Sequence, residues 1–179
     1  MSQNLNTVLE QHLRDMPPDA RAWGWKEPRS SFLLPFYHSQ FPNMKFLHVV
    51  RDGRDMAFSE NQNQLRKHGN TVLGTAESQW SQPLRAVALW TRHNLRVAEY
   101  GEARLASQYL RIRYEDVCAK PVETVARIFE FFGLDRDRED VALSEVQSSP
   151  SIGRWRTRDP AIVDGLREVA APALAKFGY

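Results

Sequence analysis

Apolar residues open the chain at three- and four-residue steps. Leu5, Val8, Leu9, Leu13 and Met16, with His12 on the same stripe, predict an amphipathic helix that Pro17-Pro18 stops. Ala22 to Lys26 is short and aromatic and predicts a strand ended by Pro28. Ser30 or Ser31 then caps a helix through about Phe41, with Pro35 in its first turn. Lys45 to Arg51 (KFLHVVR) is the clearest strand. Its near-continuous apolar run of Phe46, Leu47, Val49 and Val50 is the pattern of a parallel strand covered on both faces. Asp52 is a good N-cap with Asp55 at the capping-box position, so a helix is expected to about Arg66.

Lys67 to Gln82 shows no period and carries Gly69, Gly74 and several Ser, Thr and Asn residues, which reads as a long loop or a mobile lid. Pro83 opens a helix to about Tyr100, with Val87, Trp90 and Val97 on one face. Tyr109 to Arg113 is a third strand. Val122, Val125, Ala126, Phe129 and Phe132 mark a helix that Gly133 terminates. A short helix is expected over Arg138 to Val146, and a last one from about Asp159 to Lys176. No repeat, low-complexity tract or linker interrupts the order, so the expectation is one domain over residues 1–179. The alternation of strands and helices predicts a three-layer α/β fold with a parallel sheet.

Composition narrows the function classes more than it selects one. The 179 residues are 42% hydrophobic and 26% charged, ordinary for a globular chain. A net charge of +2 with intermixed signs gives no case for nucleic acid. Arginine carries most of the positive charge, the lysines being Lys26, Lys45, Lys67, Lys120 and Lys176. Cys118 is alone, which excludes a disulfide framework or a cysteine metal site within one chain, and the five histidines show no ligand spacing. No stretch approaches a membrane span, and Met1 to Thr7 lacks the layout of a signal peptide, so a cytoplasmic protein is expected.

Four segments carry candidate chemistry. In Phe46 to Ser59 (FLHVVRDGRDMAFS), an apolar strand delivers Arg51 to its C-terminal end, the edge where open α/β sheets bind ligands. Arg51 can grip a phosphate through two parallel hydrogen bonds, and Ser59, on the following helix, can add a hydroxyl. The other reading pairs Arg51 with Asp52 or Asp55 and leaves Ser59 on a helix surface. In YLRIRYEDV, Tyr109 to Val117, Tyr114 stands at the end of the expected strand with an aromatic face to offer. Equally, Glu115 or Asp116 can serve as a cap for the next helix. In SIGRWR, Ser151 to Arg156, Gly153 gives the backbone freedom to approach a phosphate, and Arg154 or Arg156 supplies charge. Trp155 can instead be a core anchor with its arginines solvated. WGWKEPRS, Trp23 to Ser30, places Lys26 at the end of the first expected strand.

These segments, in this order, resemble the bacterial-type sulfotransferases that use 3′-phosphoadenosine 5′-phosphosulfate (PAPS). The resemblance covers about Trp23 to Tyr179. It implies the P-loop nucleotide type of three-layer fold and PAPS as sulfuryl donor, with Arg51 and Ser59 on the nucleotide 3′-phosphate. Tyr114 then lies near the adenine, and Gly153, Arg154 and Arg156 belong to a loop closing over the nucleotide. Lys26 lies by the transferring group. Where the eukaryotic cytosolic members carry a catalytic histidine, this chain has Pro28, and Glu27 is the nearest ionisable group. Their Arg-Lys-Gly is replaced by Ser148-Ser149-Pro150. The family's 5′-phosphosulfate loop does not occur in these residues, so the sheet is expected to be incomplete at its N-terminal side, with a homo-oligomer covering the open edge. Two functions fit. One is sulfuryl transfer to a hydroxyl or amine on a small-molecule acceptor. The other is a non-catalytic nucleotide-binding or protein-interaction module on the same fold.

Overall fold

The structure is a computed structural model that describes residues 14, 16, 20 and 22–179. The chain divides into two compact units, residues 1–31 and residues 32–179. The helix expected over Leu5 to Met16 falls outside the described residues, save Arg14 and Met16. In the first unit, Ala22 to Lys26 forms no strand. Among the described residues no strand is assigned beside it. Trp23 stacks on Trp25 instead, and the Trp25 indole donates to Ser30 Oγ at 2.8 Å.

The second unit begins with helix α1, Leu34–Gln40, which has Pro35 in its first turn as expected. Strand β1, Phe46–Val50, leads to a single-turn helix α2, Gly53–Ala57. The expected helix to Arg66 is broken there. Phe58 and Ser59 close tight turns onto Asp55 and Met56, and the Gln62 amide caps the carbonyls of Met56 (3.1 Å) and Ser59 (2.6 Å). A new helix, α3, runs over Asn63–Val72, most of it in the stretch expected to be a loop. Its buried stripe is Leu65 and Gly69, continued by Leu73, a spacing of four that places all three on one side against the next helix. After a 3₁₀ turn at Ala76–Gln79, tied down by the Arg92–Glu77 ion pair, helix α4 spans Gln82–Tyr100.

Strand β2, Tyr109–Arg113, lies parallel to β1, with Phe46 opposite Tyr109 and Val50 opposite Arg113. Helix α5, Tyr114–Ala119, follows it directly, then α6, Pro121–Phe132, which Gly133 ends as expected. A short α7, Glu139–Ser144, and the long α8, Pro160–Phe177, complete the unit. Among the described residues the sheet has these two strands, not three.

The core sits between α4 and α8. Val87, Ala98, Leu166, Ala170 and Ala173 are fully buried, and the small residues let the two helices approach closely. Gly53 is part of the same packing, since a Cβ there would stand 2.3 Å from the Trp90 ring of α4. Val50 and His48 turn into this core, whereas Val49 on the opposite face of β1 is 48% exposed. That departs from the expectation of a strand covered on both faces. No helix among the described residues is long and apolar enough to cross a membrane.

Candidate functional site

Arg51 follows the last residue of β1, and the parallel partner β2 places Tyr114 beside it. The Arg51 guanidinium lies over the Tyr114 ring at 5.0 Å, a cation–π distance. Its Nη2 donates to Ser151 Oγ at 2.6 Å, and Ser151 Oγ is in turn 2.5 Å from Ser149 Oγ. The Nε of Arg51 is buried and has no hydrogen-bond partner among the described residues. Leaving such a donor unmade costs about 1–3 kcal/mol. Burial first, then hydrogen bonding with Cys118, raises the Tyr114 hydroxyl above the ordinary phenol range. It stays neutral and does not compensate the guanidinium.

Neither Asp52 nor Asp55 pairs with Arg51. Asp52 accepts the Arg54 N–H as N-cap (2.9 Å), binds the Arg54 guanidinium (2.7 Å to Nη2), and takes the Trp155 indole N–H at 3.1 Å. Asp55 does not close the capping box. Its two oxygens accept the Gly153 and Trp155 backbone N–H groups, at 2.7 and 3.1 Å. The place of the box carboxylate is taken by Glu115, which accepts the Asp52 N–H at 3.0 Å. Both aspartates are almost fully buried, and a buried carboxylate is tolerable only when satisfied in this way. Together they latch residues 153–155 onto α2.

Gly153 adopts a left-handed conformation, φ 78°, at the start of a 3₁₀ turn, Arg154–Thr157. The glycine allows that turn, and its N–H faces Asp55. Arg154 reaches back to the Phe58 carbonyl (3.2 Å) and so ties the loop to the segment carrying Ser59. Ser59 itself lies just past α2, not on a helix. Trp155 is wedged between cations, with Arg54 at 4.1 Å and Arg156 at 5.3 Å from its ring, and Arg156 is exposed. Lys26 lies exposed in the first unit.

The structure thus brings Arg51, Tyr114, Gly153 and Arg154 into one neighbourhood, with Ser59 adjoining through Phe58. Sequence reasoning missed Ser151 as the partner of Arg51, with Ser149 behind it, and the latching role of Asp55. The one signal for the serines was their place just ahead of Gly153. No group of three His, Cys, Asp or Glu residues that could hold a metal ion occurs among the described residues. Chemically, a guanidinium with a spare N–H beside two hydroxyls has the donors that an oxyanion accepts from.

Arg51 stands at the exit of a parallel strand pair, the edge at which open α/β sheets bind ligands. A sequence model of the Sulfotransferase family matches residues 1–138, and the chain belongs to that family. Carbohydrate sulfotransferase 3 of Mus musculus is 24% identical over 174 aligned positions, covering 83% of this chain and 36% of that protein. Carbohydrate sulfotransferase 6 of Homo sapiens is 29% identical over 111 positions, covering 57% of this chain and 28% of that protein. Carbohydrate sulfotransferase 5 of Mus musculus is 30% identical over 111 positions with the same shares. The chain spans about a third of the length of these relatives. No solved structure matches significantly. The family match stops before Ser149, so the contact between Ser151 and Arg51 stands on the structure alone.

Proposed function

We propose that the protein transfers a sulfuryl group from PAPS to a hydroxyl or amine acceptor. In this reading β1, β2 and their helices belong to a three-layer sheet of the P-loop nucleotide type. Carbohydrate hydroxyls are the first acceptors to test, because the relatives are named for carbohydrate.

One observation carries the nucleotide half of the reading: the buried, unpartnered Nε of Arg51. Nε and Nη2 form the guanidinium edge that offers two parallel N–H bonds to an oxyanion. Ser151 holds only the Nη2 end of that edge. A 3′-phosphate oxygen pair placed there satisfies both donors and frees the Ser151 hydroxyl to donate in its turn. The residues present therefore fit a phosphate monoester. Ser59 and the loop held by Arg154 supply further polar contacts, exposed Arg156 supplies positive charge, and Tyr114 offers a flat surface towards the base. PAPS supplies an activated sulfuryl group that passes to the acceptor atom as 3′-phosphoadenosine 5′-phosphate departs. Lys26 keeps, on sequence resemblance, the task of countering charge on the transferring group.

Calorimetry with 3′-phosphoadenosine 5′-phosphate and adenosine 5′-phosphate tests the nucleotide half. The 3′-phosphorylated nucleotide is expected to bind more tightly by roughly tenfold or more, the value of one charge-assisted hydrogen bond. Equal affinities overturn the reading. Transfer of labelled sulfuryl from PAPS to a carbohydrate panel tests the other half, with Lys26→Ala expected to slow transfer and leave nucleotide affinity intact. Selective binding with no transfer to any acceptor favours the non-catalytic module.

A further inference from the structure

The two peptide groups that flank Arg51 are both held, and by one device. Tyr179 Oη lies 3.0 Å from the Val50 carbonyl, on the peptide before Arg51. Glu115 Oε1 accepts the N–H of Asp52, on the peptide after it, at 3.0 Å. The two holds are joined, because the single Tyr179 hydroxyl proton is shared between the Val50 carbonyl and the other Glu115 oxygen, 2.7 Å away. Fixing both peptide planes fixes φ and ψ of Arg51, and with them the direction in which its side chain leaves the strand. The guanidinium must leave in one direction to lie over Tyr114 and present its Nε edge, and Tyr114 is the chain neighbour of Glu115.

Tyr179 reaches this position through its own anchors. Its N–H bonds the Leu174 carbonyl at 2.9 Å, and Arg113 covers its ring at 4.7 Å while donating to the Gly178 carbonyl at 2.5 Å. The Trp90 ring meets it edge-on at 6.4 Å. Burial, and then the bond to Glu115, push the Tyr179 hydroxyl well above the ordinary phenol range, so it remains a donor throughout the working pH range.

We propose that Tyr179 and Glu115 are positioning residues for the phosphate site: a strap across the exit of β1 that aims Arg51 without touching the ligand. The proposal rests on the reading of Arg51 as the phosphate ligand. It gives Glu115 a task other than capping its own helix, and it makes selectivity for the 3′-phosphate depend on a side chain 128 positions away from Arg51 in the sequence.

Tyr179→Phe keeps the ring between Arg113 and Trp90 and removes only the hydroxyl. Affinity for 3′-phosphoadenosine 5′-phosphate is expected to fall roughly three- to tenfold, as for loss of one ordinary buried hydrogen bond. Affinity for adenosine 5′-phosphate stays unchanged. Glu115→Ala gives the same loss of selectivity, and Glu115→Gln, which retains an acceptor for the Asp52 N–H, restores part of it. The ratio of the two nucleotide affinities is the readout, since a merely structural anchor for α8 moves the melting temperature and not the ratio. Tyr179→Phe decides the matter if Glu115→Ala does not fold. A wild-type ratio in Tyr179→Phe, in a protein whose ratio collapses in Arg51→Ala, overturns the strap and leaves the phosphate site standing. A wild-type protein with no preference for the 3′-phosphorylated nucleotide overturns both.

Discussion

His48 and Arg51 stand three residues apart on and just beyond the same strand, each beside a tyrosine of β2 or its extension, and they are finished in opposite ways. His48 is closed. Its Nε2 is 2.9 Å from Asn94 Oδ1 and its Nδ1 is 2.8 Å from Tyr109 Oη. Asn94 spends its amide N–H on the Trp90 carbonyl at 2.7 Å, which leaves its oxygen to accept. The neutral imidazole therefore donates from Nε2 and accepts the Tyr109 proton at Nδ1, and every polar atom is used. Arg51 is open, with one edge of its guanidinium half occupied and Nε unpaired. A fully satisfied buried polar group contributes to stability, and an unsatisfied one calls for an explanation, which the proposed ligand supplies at Arg51. The middle of β1 holds the fold together, and its end is where we place the anion.

His48→Leu should break the closed region with the largest effect. It strands the Tyr109 hydroxyl and the Asn94 oxygen, a cost of roughly 2–4 kcal/mol. Urea denaturation measures it, and nucleotide selectivity should not change. A loss of selectivity without a loss of stability would erase the distinction between the two regions.

The pH dependence of stability sharpens the same point. Burial holds His48 down to about 4, with the Asn94 bond opposing, and burial brings His93 to about 4 as well. Unfolded histidines titrate near 6.5. Between about pH 6.5 and 4 the unfolded chain binds more protons than the folded one, so stability is complete above that window and falls as pH drops through it. The His48 share is on the order of 3 kcal/mol. A urea midpoint that is flat from pH 7 to 5 contradicts it, and His48→Gln should remove about half of the slope, with His93 carrying the rest.

Arg51→Ala acts in the open region. Nucleotide selectivity should fall at least tenfold, about 1.5–3 kcal/mol, with a smaller change in the urea midpoint than for His48→Leu. Ser151→Ala comes last, at less than about threefold in affinity, because the hydroxyl leaves one partner as it gains another. If Ser151→Ala matches Arg51→Ala, the loop rather than the strand end is the receptor.

Strong periodicity made much of the frame readable: β1, β2, α4 and α6 lie where the apolar pattern puts them. The stripe in α3 was hidden because its middle member is Gly69, which leaves no apolar mark between Leu65 and Leu73. The aromatic run at Ala22 to Lys26 resembles a strand, but residue type cannot report whether a partner strand lies beside it. In the site, Arg51 was legible as a basic residue at a strand exit. The alternatives set against it, pairing with Asp52 or Asp55, could be dismissed only when those carboxylates were seen to hold Arg54 and the 153–155 loop. Asp55 and Gly153 are 98 positions apart, and no local pattern joins them. His48 looked like an interruption in an apolar run, and its function depends on Asn94 and Tyr109, both distant in sequence.

The central claim is that the free edge of Arg51 receives a 3′-phosphate, and the Arg51 Nε–H resonance reports on it directly. With arginine side chains labelled in ¹⁵N and Arg51 assigned through Arg51→Lys, the protein is titrated to saturation with each nucleotide. 3′-phosphoadenosine 5′-phosphate should move this resonance strongly downfield, as a new charge-assisted bond requires, and adenosine 5′-phosphate should leave it in place. An Arg51 Nε–H that stays put with the first nucleotide bound, or moves equally with both, contradicts the account.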